Sequence, residues 1–345
     1  MVTGARPGAT GGAPAWQDPD MMKLRWAVPR PEENQQWAAL LAAMAAADGR
    51  GEVHAVEDLA DEWRSVWSHP ATDAIFVWDG PDLVGFAWLK AIPGDGDAHE
   101  VACWGGVGPT HRRRGVGTAL MNWSWRRGNE IAATFDAASP TNLIIEVGQD
   151  QADLGALVRR AGFDPQRRFL EVARPTSPAN AARSTGPVGL ECVGWSPALD
   201  HRARLAHAEA FAHHGGRRPR NADQWVQWYT GHRSFRPDLS VLAVETATAA
   251  VVALVLTAAY PQDWDRGPVE AWITTVGTVP DRRREGVAGW LLDDVHRRLA
   301  DSSTGFERSI LGVDDENSTG AGALYGRLGY ELVRSVTTWA HPAGD

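Results

Sequence analysis

The stretch His111–Gly117, "HRRRGVG", returns later in the chain as Asp281–Ala288, "DRRREGVA". Each follows a strand-like run that ends at a proline, Pro109 or Pro280, and each opens into a helix-like run. Further along, "LVRRAGF" (Leu157–Phe163) is echoed by "LYGRLGY" (Leu324–Tyr330). Gly162 and Gly329 are separated by nearly the same number of residues as Arg112 and Arg283. Two landmarks in the same order at nearly one offset read as a duplicated domain.

Working outward, each half has the same sequence of elements. In the first, "LRWAVP" predicts a strand and Glu32 to about Trp67 a helical region; "AIFVWD", "LVGFAWLKAI" and "EVACWGGV" predict three further strands. The second half answers with "GLECVGW", a helical region over about Ala198–Tyr229, then "LSVLAVET", "VVALVLTAAY" and "VEAWITTVGTV". Val287, Leu291, Val295 and Leu299 recur every four positions, so they share one helical face that packs on a sheet. A strand ("LIIEVG" or "SILGV"), a short helix and a last strand complete each half, giving the order βααβββαβαβ. The fold class is α/β (α+β): two tandem domains, each a mixed central sheet flanked by helices.

The run Ala173–Gly189 is rich in Pro, Ser, Gly and Asn and lacks apolar periodicity. The expected organisation is a disordered tail over 1–22, a first domain over 23–175, a linker over 176–188 and a second domain over 189–345, with the two halves packed as an internal pseudo-dimer. The tail lacks the apolar segment of a signal peptide, and no run is long and apolar enough to span a bilayer, so a cytoplasmic protein is expected. The net charge of -9 argues against a nucleic-acid partner and leaves the arginine clusters with local tasks. Cys103 and Cys192, far apart in apolar runs, suit buried thiols rather than a disulfide or a zinc site.

The repeated loop has the makings of an anion cradle. The first N–H groups of a helix lack intrahelical partners, and the helix dipole favours negative charge there. Gly115 and Gly286 can take positive φ, the small residues Gly117 and Ala288 permit close approach, and arginine supplies charge-assisted hydrogen bonds to phosphate. The loop is neither a Walker A motif nor a dinucleotide fingerprint.

The segments "VGPTHRRRGVGTAL" and "VGTVPDRRREGVAGWL" resemble the acetyl-CoA-binding motif of GNAT acetyltransferases, and "GVDDENSTGAGALYGRLGYELV" is similar to the strand and helix that follow it in that family. The resemblance implies a sheet splayed between its fourth and fifth strands, with pantetheine bonded to free backbone of the fourth: Val276 and Thr278, or Gly105 and Val107 in the first half. It implies a pyrophosphate on Arg283, Arg284, Glu285, Gly286, Val287 and Ala288, and on Arg112, Arg113, Arg114, Gly115, Val116 and Gly117. Asn317 joins the cofactor-binding set, and the Tyr325 phenol lies beside the CoA sulfur as general acid. Tyr325 also reads as an aromatic packing residue of an amphipathic helix.

In the repeat Val158 stands opposite Tyr325 and Asp150 opposite Asn317, so the first half keeps a phosphate loop without an acid. Glu270 is the candidate general base, or else a solvated strand-end carboxylate. His213, His214 and His232 belong to a region that reads either as a substrate cover or as an exposed basic helix pair. The expected activity is transfer of an acetyl group from acetyl-CoA to the amine of a small molecule such as an amino sugar, an amino acid or a natural-product intermediate, without metal, nucleic acid or membrane. The protein would be a monomeric pseudo-dimer or a homodimer. The alternatives are a non-catalytic acyl-CoA sensor or scaffold, and transfer of a longer acyl group.

Overall fold

The computed structural model describes residues 23–49, 54–94, 98–136, 138–177, 185–212, 221–265, 267–315 and 321–344. Within them the chain forms β1 (Arg25–Ala27), α1 (Asn34–Ala47), α2 (Val56–Glu62), α3 (Pro70–Asp73), β2 (Ala74–Asp79), β3 (Asp82–Ile92), β4 (His99–Val107), α4 (Val116–Ala132), β5 (Thr141–Gly148), α5 (Ala152–Arg160) and β6 (Asp164–Pro175). It continues as β7 (Leu190–Gly194), α6 (Asp200–Ala210), α7 (Ala222–Trp225), β8 (Val241–Glu245), β9 (Val251–Ala259), β10 (Glu270–Thr278), α8 (Val287–Asp301), β11 (Arg308–Asp314), α9 (Ala321–Arg327) and β12 (Glu331–Pro342). The repeat is therefore preserved element by element, apart from the short α3.

Two compact units divide the chain: Met1–Ile145 with Ala152–Asp164 and Trp339–Asp345, and Glu146–Gln151 with Pro165–Thr338. The first contains the antiparallel order β1-β2-β3-β4 with β5 parallel to β4. Its core is aromatic. Trp37 stacks on Trp88 at 4.8 Å between ring centroids, with Phe76 and Phe86 edge-on to Trp37. The second unit repeats the order as β7-β8-β9-β10 with β11 parallel to β10, over an aliphatic core. Every residue of β9 is buried, as expected for a strand covered on both faces.

The expected domain boundary at 175/176 differs from this division. β6 pairs antiparallel with β11, from Arg308↔Pro175 to Asp314↔Phe169, so Pro165–Pro175 belongs to the second unit. Conversely, the end of β12 belongs to the first: the Ala343 N–H donates to the Thr141 carbonyl, and His341 packs edge-on against Trp125. The Pro- and Ser-rich composition marks where the covalent repeat ends, whereas strand pairing decides where a unit begins.

The stripe on α8 meets the sheet as its spacing requires, with Val287, Leu291, Val295 and Leu299 all at or below 1% exposure. This face fixes where the helix starts. Truncating Leu291 to Ala should cost about 3 kcal/mol, by lost transfer energy and a cavity, measured by urea unfolding. The same change at exposed Leu332 should stay within about 0.5 kcal/mol.

Candidate functional site

The site begins with a ladder that stops. β10 pairs with β11 only from Glu270↔Arg308 to Ile273↔Leu311, while its pairing with β9 continues to Thr278. In the first unit β4 pairs with β5 only from His99↔Thr141 to Ala102↔Ile144, and with β3 as far as Val107. The splay expected of each sheet is thus present in each unit. It leaves Thr275–Thr278 and Cys103–Val107 with a sheet partner on one side.

Beyond the splay the two loops have the same backbone. Arg112 and Arg283 are extended, at φ -65 and -69. Arg113 and Arg284 have φ of 62 and 67, and Gly115 and Gly286, the N-caps of α4 and α8, have φ of 86 and 81. Non-glycine residues rarely enter this left-handed region, so a paired occurrence at matching positions marks a conformation the fold imposes. Successive N–H groups of such a turn, followed by a helix start, form an anion-binding concavity.

The side chains modify the expected ligand set. Arg112 turns away from the loop and holds the Asp48 carboxylate through both terminal nitrogens, at 2.5 and 2.9 Å, while its Nε donates to the Val107 carbonyl. Arg283 does the corresponding work through the Thr278 carbonyl (3.2 Å) and the Ala210 carbonyl (2.7 Å). These arginines tie the strand end to the preceding helix, and the carbonyls of Val107 and Thr278 are taken by them. Arg282 is engaged by Glu245 and Glu285, and Arg113 by Asp153. Among the described residues, exposed Arg114 and Arg284 keep guanidinium groups without an internal partner. Val116 and Val287 are buried and contribute backbone only.

Glu270 is engaged in an ion pair. Its carboxylate accepts from Arg308 Nε at 2.7 Å, and its position is the closed end of the β10–β11 ladder rather than the open one. The ion pair anchors the two strands where they still run together. Asn317, His213 and His214 lie outside the described residues. His232 bonds Ser234 through Nδ1 at 2.6 Å.

Tyr325 on α9 is 8% exposed, and burial pushes its phenol up to about 12. Its neighbour Leu324 comes within 3.8 Å of where a Cβ on Gly289 would stand, so α9 lies beside the first turn of α8. In the first unit, Leu157 comes within 3.5 Å of where a Cβ on Gly117, the counterpart of Ala288, would stand, and Val158 replaces the tyrosine.

The opposite face of the fourth strand separates the units further. In the first, Trp104 lies 5.2 Å from Trp37, and Met44 covers Gly106 so closely that a Cβ there would meet Met44 Cε at 2.1 Å. In the second, β10 carries a bulge between Ile273 and Thr275 that β4 lacks. Thr275, at the position of Trp104 in the repeat, bonds Tyr229, whose hydroxyl lies 3.3 Å from His207 Nε2. Sequence reasoning held Tyr229 within the candidate substrate cover but missed Thr275 and His207; for Thr275, "ITTVG" carries no glycine or proline at the bulge to announce it.

The sequence model of the acetyltransferase (GNAT) family matches residues 30–135. Mycothiol acetyltransferase of Parafrankia sp. (strain EAN1pec) is 29% identical over 325 residues, covering 88% of this chain and 93% of the relative. The mycothiol acetyltransferase of Saccharomonospora viridis is 27% identical over 312 residues, with coverage of 88% and 93%. The fold is similar to that of a GCN5-related N-acetyltransferase from Sphaerobacter thermophilus (TM-score 0.72, 23% identity, 93% of this chain and 96% of that one). It is also similar to a tandem GNAT protein from the clavulanic acid biosynthesis pathway (TM-score 0.67, 19% identity, 93% and 99%).

A Cβ on Gly286 would meet nothing within 4 Å, so substitution there acts through backbone strain alone. Gly286→Val should cost about 1–2 kcal/mol for a branched residue held at positive φ and weaken CoA binding to the second unit. Thermal melting and a CoA titration check both; Gly289→Ala should alter neither.

Proposed function

We propose that this chain, which belongs to the GNAT acetyltransferase family, transfers an acetyl group from acetyl-CoA to the primary amine of a small molecule, with the chemistry in the second unit. The observation that carries the division of labour is Tyr325 against Val158 on otherwise matching backbone. Both loops offer the same N–H concavity, which suits the pyrophosphate, and Arg284 and Arg114 offer the free guanidinium groups. The one-sided fourth strands suit the pantetheine amides.

In the proposed reaction the neutral amine nitrogen attacks the thioester carbonyl carbon, the carbon–sulfur bond breaks, and the departing thiolate takes the Tyr325 proton. The amine loses its surplus proton to solvent or to a group near the bulge. An alkyl amine is only about one part in a thousand neutral at pH 7, which makes its deprotonation the pH-sensitive step. The hydrogen-bonding groups Thr275 and Tyr229 give the second unit a polar face where the first has Trp104 and Met44. The first unit is accordingly a CoA-binding domain that turns nothing over. The relatives are named mycothiol acetyltransferase, so amines related to mycothiol are the first acceptors to try.

Incubation with acetyl-CoA and a panel of amino sugars, amino acids and cysteinyl amides should release CoA with at least one acceptor; no release across the panel would overturn the reading. Tyr325→Phe should lower kcat roughly 10²-fold with CoA binding nearly intact. The acid form of Tyr325 is its protonated phenol. A phenol raised to about 12 keeps that proton throughout the assay range. The rate should therefore climb as the amine deprotonates, without an alkaline fall below about pH 10.

A further inference from the structure

Tyr325 stands on a short helix whose Ala321 and Leu328 pack against the core of the second unit, while a Cβ added at Gly322 or at Gly326 would meet nothing within 4 Å among the described residues. The turn that follows adds a further hold on the tyrosine. Gly329 takes φ +83, and the Tyr330 N–H donates to the carbonyl of Tyr325 itself at 3.0 Å. The Tyr330 ring then lies edge-on to the Tyr325 ring at 5.7 Å.

Tyr330 is in turn pinned from two other elements. Its hydroxyl lies 2.9 Å from His296 Nε2 on α8 and 3.1 Å from Ser309 Oγ on β11, and those two are 3.2 Å apart. All three side chains are buried, at 2% for His296, 0% for Ser309 and 5% for Tyr330. Burial lowers His296 to about 3, with the Arg174 guanidinium adding to the effect, so the imidazole is neutral at any working pH. Arg174 itself lies 3.9 Å from Asp293. The network is uncharged, joined through His296 Nε2, while His296 Nδ1 is buried with no hydrogen-bond partner among the described residues; it acts as a pin rather than a switch.

The first unit supplies an internal control. There Gly162 has φ +86 and the Phe163 N–H donates to Val158 at 3.1 Å, so the helix ends in the same way. In the repeat, Trp125 takes the place of His296, Phe163 that of Tyr330 and Asn142 that of Ser309. The last equivalence follows from the ladders, since Glu100 faces Asn142 and Ala271 faces Ser309. Trp125 and Phe163 meet edge-on at 6.2 Å, and the half-buried His341 ring packs against both. The cap therefore forms without the buried histidine–serine–tyrosine contacts of the second unit. Three buried polar side chains cost desolvation that an aromatic pair avoids, and they occur in the unit that carries the tyrosine.

We propose that His296, Ser309 and Tyr330 are positioning residues for Tyr325, holding its hydroxyl in the orientation from which it protonates the departing thiolate. The inference rests on the reading of Tyr325 as general acid. Small displacements of a reacting group cost rate rather than binding, which gives the device a kinetic signature.

The experiment compares Tyr330→Phe, Ser309→Ala and the pair His296→Trp with Tyr330→Phe, which copies the first unit, each made in the full chain and again with Tyr325→Phe. With acetyl-CoA and the best amine of the panel, each should lower kcat about tenfold and leave the KM for acetyl-CoA unchanged. With Phe at 325 the same changes should have no further effect, because a positioning role acts only through the group it positions. Equal losses in both backgrounds, or no loss with Tyr325 present, would overturn the inference. If Tyr325→Phe alone left kcat untouched, the assignment of the acid would fall first, and the inference with it. A readout independent of turnover uses the fact that the chain has 4 tyrosines. In ring-labelled protein, Tyr330→Phe should shift or broaden the Tyr325 signal and leave Tyr229 and Tyr260 in place. An unchanged Tyr325 signal would count against the pin.

Discussion

The parallel ladder between β10 and β11 ends at Ile273, and the rest of the site depends on that early end. Strands that stayed paired to Thr278 would satisfy their own backbone and leave nothing for a ligand to bond. The parting needs support at both ends. Arg308 and Glu270 clamp the closed end, while Arg283 fastens the open end to Thr278 and Ala210. Between them the bulge at Thr274 changes which face the following residues present, turning Thr275 toward Tyr229. Arg283, one of the residues the sequence assigns to phosphate, is thus also engaged at the strand end.

Backbone and side chains divide the work differently in the two units. The loops agree in φ from the first arginine to the helix N-cap, and the turns after α5 and α9 agree as well. Those conformations are set by glycines and by the strand-to-helix path, which the duplication copied. The units differ at a handful of side chains, with Val158 against Tyr325 and Trp104 against Thr275. A scaffold that fixes geometry through its main chain is free to vary function through few substitutions.

Much of this was legible in the sequence because its signals are local. The β-rich runs around Phe76, Leu254 and Ile310 became strands, and the four-residue spacing from Val287 to Leu299 became the buried face of α8. The glycines at 115 and 286 could take positive φ and have it. What escaped was non-local. Nothing near Arg112 announces Asp48, nothing near Glu270 announces Arg308, and His296 reads as one more residue on a helix until Ser309 and Tyr330 converge on it. The exchange of β6 was hidden for the same reason, since a strand's sequence records its faces and not its neighbour.

That exchange has a consequence for the history of the chain. The second unit is closed along β11 by a strand encoded in the first half of the gene, and the first unit contains the last residues of the second half. A cut at the linker would give two fragments, each missing a piece that the other encodes. Neither half can then be deleted or inherited alone without leaving an unpaired sheet edge, which is prone to aggregation. Whatever task the first half has of its own, it would also be kept by selection as the source of the strand its sibling needs.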